Sequence, residues 1–177
     1  MNFSDRFLAK VSGTNVAGNS ANTVSEYLRK VGVPLQERWD FTSDIDTFEK
    51  FYSSLPAKLF DYAKSDFLDK YKFNHEYVNP SVENIKQALK FSPICVSVAA
   101  WFRIGDIYYK PEGAIDNHWV ICYGYDDTQK AWKIFDSYED NLKLYSYNAN
   151  ITVAKRYSIE KISKPISFRR KLLNWFA

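Results

Sequence analysis

Residues 116–125, Asp-Asn-His-Trp-Val-Ile-Cys-Tyr-Gly-Tyr, constrain this chain more than any other stretch. After the His, β-branched and aromatic side chains occupy almost every position, and the run closes on Gly-Tyr-Asp-Asp, which reads as a turn. A second short run, Trp132-Lys133-Ile134-Phe135-Asp136-Ser137-Tyr138, answers it as a neighbouring antiparallel strand. Period-two alternation puts His118, Val120 and Cys122 on one face and Trp119, Ile121 and Tyr123 on the other. His118 follows a polar Asp-Asn pair, so its ring is expected at a strand end beside a cleft. Asp136 lies one hairpin away, within reach across the sheet. An imidazole whose tautomer is fixed by a carboxylate meets the requirement for an oriented general base. From the residues alone the bland readings stand beside this one: a His satisfying a local hydrogen bond, and an Asp opening a turn with Ser137.

The rest of the chain supplies helices before this hairpin and strands around it. Phe3, Phe7 and Leu8 form an apolar trio, followed by a Ser-, Gly- and Asn-rich loop over residues 12–20. Thr23-Val24-Ser25-Glu26 has the pattern of a capping box, with Val24, Tyr27, Leu28 and Val31 at helical spacing and Gly32 as the stop. Short helices are expected near residues 45–52 and 57–68, and a strand over 70–78, where Tyr71, Phe73, His75 and Tyr77 alternate. Asn79-Pro80-Ser81 caps a helix that buries Val82, Ile85, Ala88 and Leu89. Residues 94–101 read as a central strand, 102–115 as a loop, and further strands follow at about 142–147 and 153–162, with boundary errors of about 2–4 residues. Residues 166–177 read as a short amphipathic helix carrying Arg169, Arg170 and Lys171. The order is an α+β arrangement, helices first and then an antiparallel sheet of about four or five strands.

Bulk properties narrow the classes of partner. At 177 residues the chain is expected to form one domain with a real core. A net charge of +3 is too weak to argue for nucleic acid. Neither zinc-type Cys/His spacing nor an apolar run of transmembrane length occurs, so no metal, no cofactor and no membrane partner is expected. With no signal-peptide pattern, the protein is expected to be cytoplasmic if Met1 is the true start. His75 reads as a half-exposed strand residue. Asp44, Asp46, Asp126 and Asp127 read as turn and helix-start carboxylates.

The strand at His118 and the run ending in Asp136-Ser137-Tyr138 together resemble the C-terminal half of papain-like (C1-type) cysteine peptidases. In that family a His-Ala-Val-x-x-Val-Gly-Tyr-like strand carries the catalytic His, and a strand ending in Asn-Ser-Trp carries its orienting side chain. The resemblance extends upstream. Gly13 to Asn19 stands for the family's Gly-rich loop, and Gly32-Val33 opens the extended segment that follows. The helix over residues 82–90 leads to Pro93-Ile94-Cys95-Val96-Ser97-Val98, similar to the family's Pro-Val-Ser-Val. It implies a papain-like fold over residues 1–165, helical to about 92 and β from 93, with a basic aromatic tail at 166–177. The chain departs from the family in having Asp136 in place of Asn, Tyr138 in place of Trp, and a turn shortened to Glu139-Asp140-Asn141. The family's nucleophile motif, a Gln and then a Cys at the start of a long helix, would precede residue 1.

The resemblance implies a peptidase in which His118 is the base and Asp136 its orienter, with the thiol absent from this chain. Cys95 lies in the most apolar strand, and Cys122 is four residues beyond His118, about 13 Å along a strand. Both read as small buried hydrophobes rather than nucleophiles. Ser20 is no persuasive substitute. Two functions follow. One is a peptidase half-site completed by a segment that carries the Cys helix, acting on a peptide or protein. The other is a catalytically inactive papain-like module for binding or assembly. A papain-like fold without its central helix is expected to expose an apolar groove, to be filled by that segment or by self-association.

Overall fold

The computed structural model describes residues 2–40, 42, 45–138 and 141–163. The expected tail helix at 166–177, Asp44, and Glu139-Asp140 of the expected turn lie outside the described residues. The chain forms two compact units, one comprising Met1–Phe73 with Ile159–Ala177 and the other Asn74–Ser158.

In the first unit Phe7 and Leu8 of the apolar trio belong to a helix for which the sequence gives no assignment, while Phe3 precedes it and bridges to Leu35. α1 (Asp5–Val11) starts at Ser4, whose hydroxyl accepts the Phe7 N–H and fills one of the unpaired donors of the first turn. On this helix Arg6 is buried. It donates to the Phe51 and Lys50 carbonyls and to Ser53 Oγ, and its guanidinium lies 4.0 Å from the centre of the Trp39 ring. α2 (Ala21–Val31) has its cap three residues before the Thr23 of the expected capping box. Ser20 is the cap, accepting the Thr23 N–H, because its backbone is extended there while Thr23 is already helical. Gly32 ends the helix as expected, with φ +78°. The short helices α3 (Phe48–Phe51) and α4 (Lys58–Ala63) follow, the second continuing as a wider turn over residues 64–68. Buried Asp66 accepts the Leu35 N–H and lies near Arg38 and Lys70, which ties the extended segment after Gly32 to this turn.

The second unit is built on a sheet. Most residues of β1 (Tyr71–Val78) and of β8 (Ala154–Lys161) belong to it. Between them come α5 (Val82–Leu89), β2 (Ile94–Val98), β3 (Phe102–Ile104), β4 (Ile107–Tyr109), β5 (His118–Asp126), β6 (Ala131–Phe135) and β7 (Leu142–Ser146). The strand order is β1-β8-β2-β5-β6-β7-β4-β3. β2–β5, β2–β8, β5–β6, β6–β7 and β3–β4 pair antiparallel, and only β4–β7 is a parallel pair among those with a defined register. Among the described residues, eight strands stand where four or five were expected. Two of the additions come from residues 102–115, read as a loop, where a hairpin forms about a two-residue Gly105-Asp106 turn. Gly105 has φ +59°, the conformation that a tight hairpin asks of its first turn residue. The run Phe-Arg-Ile-Gly-Asp-Ile-Tyr-Tyr carried that signal in its Gly-Asp pair between β-formers.

The core of this unit lies on one sheet face. Ile85 and Ala88 of α5 pack with Ile94, Val96 and Val98 of β2, Val120 and Cys122 of β5, Trp132 and Ile134 of β6, and Tyr145 of β7. Each fully buried aliphatic side chain here contributes about 1.5–3 kcal/mol relative to exposure. α5 is capped by Ser81, as expected, but Val82 stays on its outer side. β2 is all buried and ends at Val98, three residues short of the expected run. Asn117 is the reason. Its N–H donates to the Val98 carbonyl and its Oδ1 accepts the Ala100 N–H at 2.9 Å, so a side chain takes over the next rung of the ladder.

Candidate active site

β5 alternates as expected. Val120 and Cys122 are buried while Ile121 and Tyr123 are exposed, which puts His118 at the end of the core-facing row. The β5–β6 register pairs Ile121 with Phe135 and Cys122 with Ile134, so Asp136 falls on the same face as His118, one diagonal step along the neighbouring strand. The chain folds this way because the apolar residues of both strands are needed in the core. Once Val120, Cys122, Trp132 and Ile134 are buried, His118 and Asp136 must share their face.

His118 Nε2 and Asp136 Oδ1 are 2.7 Å apart. A carboxylate can only accept, so Nε2 carries the proton, and Nδ1 is the acceptor of the neutral ring. Asp136 is 1% exposed. Burial pushes its carboxyl up, but the hydrogen bonds from His118 and Lys143, with their charges, outweigh burial and hold it below the usual carboxylate range. The Asp136 N–H donates to the Asn141 carbonyl at 2.8 Å, which fixes the backbone where β6 leaves the sheet.

Two aromatic residues hold the imidazole. Tyr138 stacks on it, with ring centres 5.1 Å apart, and Trp101 meets it edge-on at 5.7 Å. An open cleft of about 490 Å³ lies beside them, lined by Trp101, Tyr108, Asp136, Tyr138 and Lys143. Asp116, next in sequence but one, faces another set of partners. Ser97, Thr152 and Lys110 all donate to it. Burial raises its pKa, and the three donors together bring it below the ordinary value.

Sequence reading singled out His118 and Asp136 and missed two of their neighbours. Lys143 Nζ donates to the second oxygen, Asp136 Oδ2, at 2.9 Å. In β7, Leu142 and Leu144 look like the core-facing residues, yet the register pairs Lys143 with Ile134 and Tyr145 with Trp132, so the Lys-Tyr row faces inward. A buried lysine gives no signal in a single sequence until its partner carboxylate is known. Trp101 lay at the end of the expected strand, and its turn toward the ring depends on Asn117 ending β2.

Neither cysteine approaches this chemistry. Both are buried and free of disulfide. Burial raises the Cys95 thiol, against weaker lowering by Tyr157 and Lys155, and pushes Cys122 up to about 12. Cys122 donates to the Gly124 carbonyl, at the bulge that shifts the β5–β6 register. Ser20 is occupied as a helix cap. His75 lies within hydrogen-bonding distance of Lys155 at 2.9 Å, within the strands β1 and β8. No group of three His, Cys, Asp or Glu residues able to hold a metal occurs among the described residues. No helix there is long and apolar enough to cross a membrane.

Comparison with protein-family models gives no match, and comparison with curated protein sequences gives none. Solved structures do match. Xylellain, a cysteine protease from Xylella fastidiosa, aligns over 92% of this chain and 70% of its own, at 16% identity and a TM-score of 0.68. The Carica candamarcensis cysteine protease CMS1MS2, solved with E-64, aligns over 93% and 79%, at 14% identity and a TM-score of 0.63. Digestive procathepsin L 3 of Tenebrio molitor larval midgut aligns over 89% of this chain and 55% of its own, at 18% identity and a TM-score of 0.62. The chain therefore has the papain-like cysteine protease fold, an α+β arrangement dominated by its largely antiparallel sheet.

Proposed function

We propose that this chain is the base-bearing part of a papain-like cysteine peptidase, with His118 as general base and acid and Asp136 as its orienter. The observation that carries the reading is the 2.7 Å contact between His118 Nε2 and the buried Asp136 carboxylate at the edge of an open cleft. That contact leaves Nδ1 free to take a proton. In the reaction, Nδ1 accepts the proton of a cysteine thiol and the thiolate attacks a peptide carbonyl. The imidazolium then protonates the leaving amine as the C–N bond breaks. Water, deprotonated by the same nitrogen, hydrolyses the thioester and releases the thiol. Asp136 holds the ring in the tautomer that this sequence needs and stabilises the imidazolium. The thiol comes from a segment outside residues 1–177, since Cys95 and Cys122 are buried and their thiols are raised.

The test combines the chain with a segment carrying a Cys-bearing helix, in one polypeptide or as a mixture, and assays hydrolysis of a fluorogenic peptide and labelling by E-64. Turnover that needs the Cys and disappears in His118→Ala supports the peptidase reading. Hydrolysis indifferent to His118→Ala, or none in the combined protein, refutes it. The same burial of both cysteines favours a second reading, a catalytically inactive module that binds a peptide or protein partner. Under that reading, partner binding survives His118→Ala unchanged.

A further inference from the structure

Behind the proposed base stands a second charge. The Asp136 carboxylate is shared, one oxygen to His118 at 2.7 Å and the other to Lys143 at 2.9 Å. Lys143 has its side chain 4% exposed and the carboxylate 0%, so neither charge is screened by water. The ammonium lies 5.5 Å from the ring centre of Trp101 and 5.7 Å from that of Tyr108, whose faces also favour a cation. The pairing is set by two registers, β5 on β6 and β6 on β7, which bring three polar side chains into one corner of an otherwise apolar face.

We propose that Lys143 is a positioning residue for His118, one that neutralises Asp136 so that the imidazole is oriented by an electrically balanced acceptor. This rests on the reading of His118 as the base. A bare buried carboxylate against Nε2 would favour the imidazolium strongly and make the ring a poor proton donor to a leaving amine. With Lys143 on its other oxygen, Asp136 keeps the geometry of an ionised acceptor and loses most of its net field. The pair then acts as a neutral amide would. Lys143 also pins the carboxylate plane, since each oxygen is committed to one partner. Among the described residues, the groups that face the His118 ring are Asp136 at the end of β6, Tyr138 in the turn after it, and Trp101 after β2. Lys143 of β7 and Tyr108 of β4 stand behind them.

The test is a nuclear magnetic resonance titration of the histidine Cε1 protons, which needs no turnover. The chain has two histidines, so His75 serves as the internal control. Lys143→Met should raise the His118 titration midpoint by about 1 unit or more, the effect of an uncompensated neighbouring carboxylate. Lys143→Arg should leave it near wild type. Asp136→Asn should lower it, and Asp136→Asn with Lys143→Met should return it close to wild type. The double variant carries no unbalanced buried charge, so it and Asp136→Asn keep the question decidable if Lys143→Met does not fold. A midpoint unmoved by Lys143→Met, or one moved equally by Met and Arg, overturns the proposal, as does a double variant that titrates like Asp136→Asn. A shifted midpoint in a protein that never cleaves peptides upholds the coupling and refutes only the peptidase reading.

Discussion

Replacing Gly32 by Ala isolates how the first unit is closed, and its cost follows from the backbone and contacts of residue 32. Gly32 has φ +78° and ψ −165°, a region that only glycine enters readily. Forcing a side-chain-bearing residue there costs about 1–3 kcal/mol. A Cβ at this position would lie 2.6 Å from the Ala63 carbonyl oxygen and 2.9 Å from Leu68 Cγ. The leucine can turn away, but the carbonyl is backbone at the end of α4 and can move only if the helix shifts. Overpacking of this kind adds about 1–3 kcal/mol, so the substitution should destabilise by roughly 2–6 kcal/mol, with about 4 kcal/mol as the central value. Gly13 supplies the control, with φ +75° and nothing within 4 Å of an added Cβ. Gly13→Ala should cost about 1–2 kcal/mol, the backbone part alone. Urea unfolding followed by circular dichroism reads both, and with a slope of about 2 kcal/mol per molar the two midpoints should differ by about 1 M. If Gly32→Ala unfolds no earlier than Gly13→Ala, the close approach of residue 32 to α4 and the turn after it is wrong.

The site makes two further predictions about the folded chain. Asp136 has its pKa lowered on folding, so its contribution to stability is present above the unfolded-carboxylate value of about 3.9 and is lost as pH falls through the folded value. The stability gap between wild type and Asp136→Asn, measured by urea unfolding from pH 6 to pH 2, should shrink over the acid end of that range; a gap of constant size contradicts the pairing with His118 and Lys143. For the cysteines, a chromogenic disulfide reagent at pH 8 should find neither thiol in the native protein and two after unfolding. Rapid reaction of the native chain would show that Cys95 or Cys122 is reachable and would reopen the question of the nucleophile.

What the sequence determined by itself was local and periodic. Alternation along residues 118–126 fixed the strand and its inward row, because side chains on a strand change face at every residue and the apolar set must go inside. Gly32 was legible as a stop because few other residues take its backbone conformation. The order of the motifs around His118 and Asp136 was enough to suggest the papain-like fold that the solved structures display. The cap of α2 was misplaced by three residues, since Ser20 and Thr23 both offer a hydroxyl and only the backbone angles decide between them.

The tertiary structure alone decided what stands behind the imidazole. Lys143 is seven residues from Asp136, on a strand whose leucines look like its inward face, and only the β6–β7 register turns the lysine in. Trp101 reaches the ring because the Asn117 side chain stops β2 at Val98, a contact between residues nearly twenty apart in the chain. Burial of a charge is unfavourable until its partner is in place, so no local pattern announces it. The base and its orienter could be read from two short runs of sequence; the charge balance around them exists only once three strands have met in register.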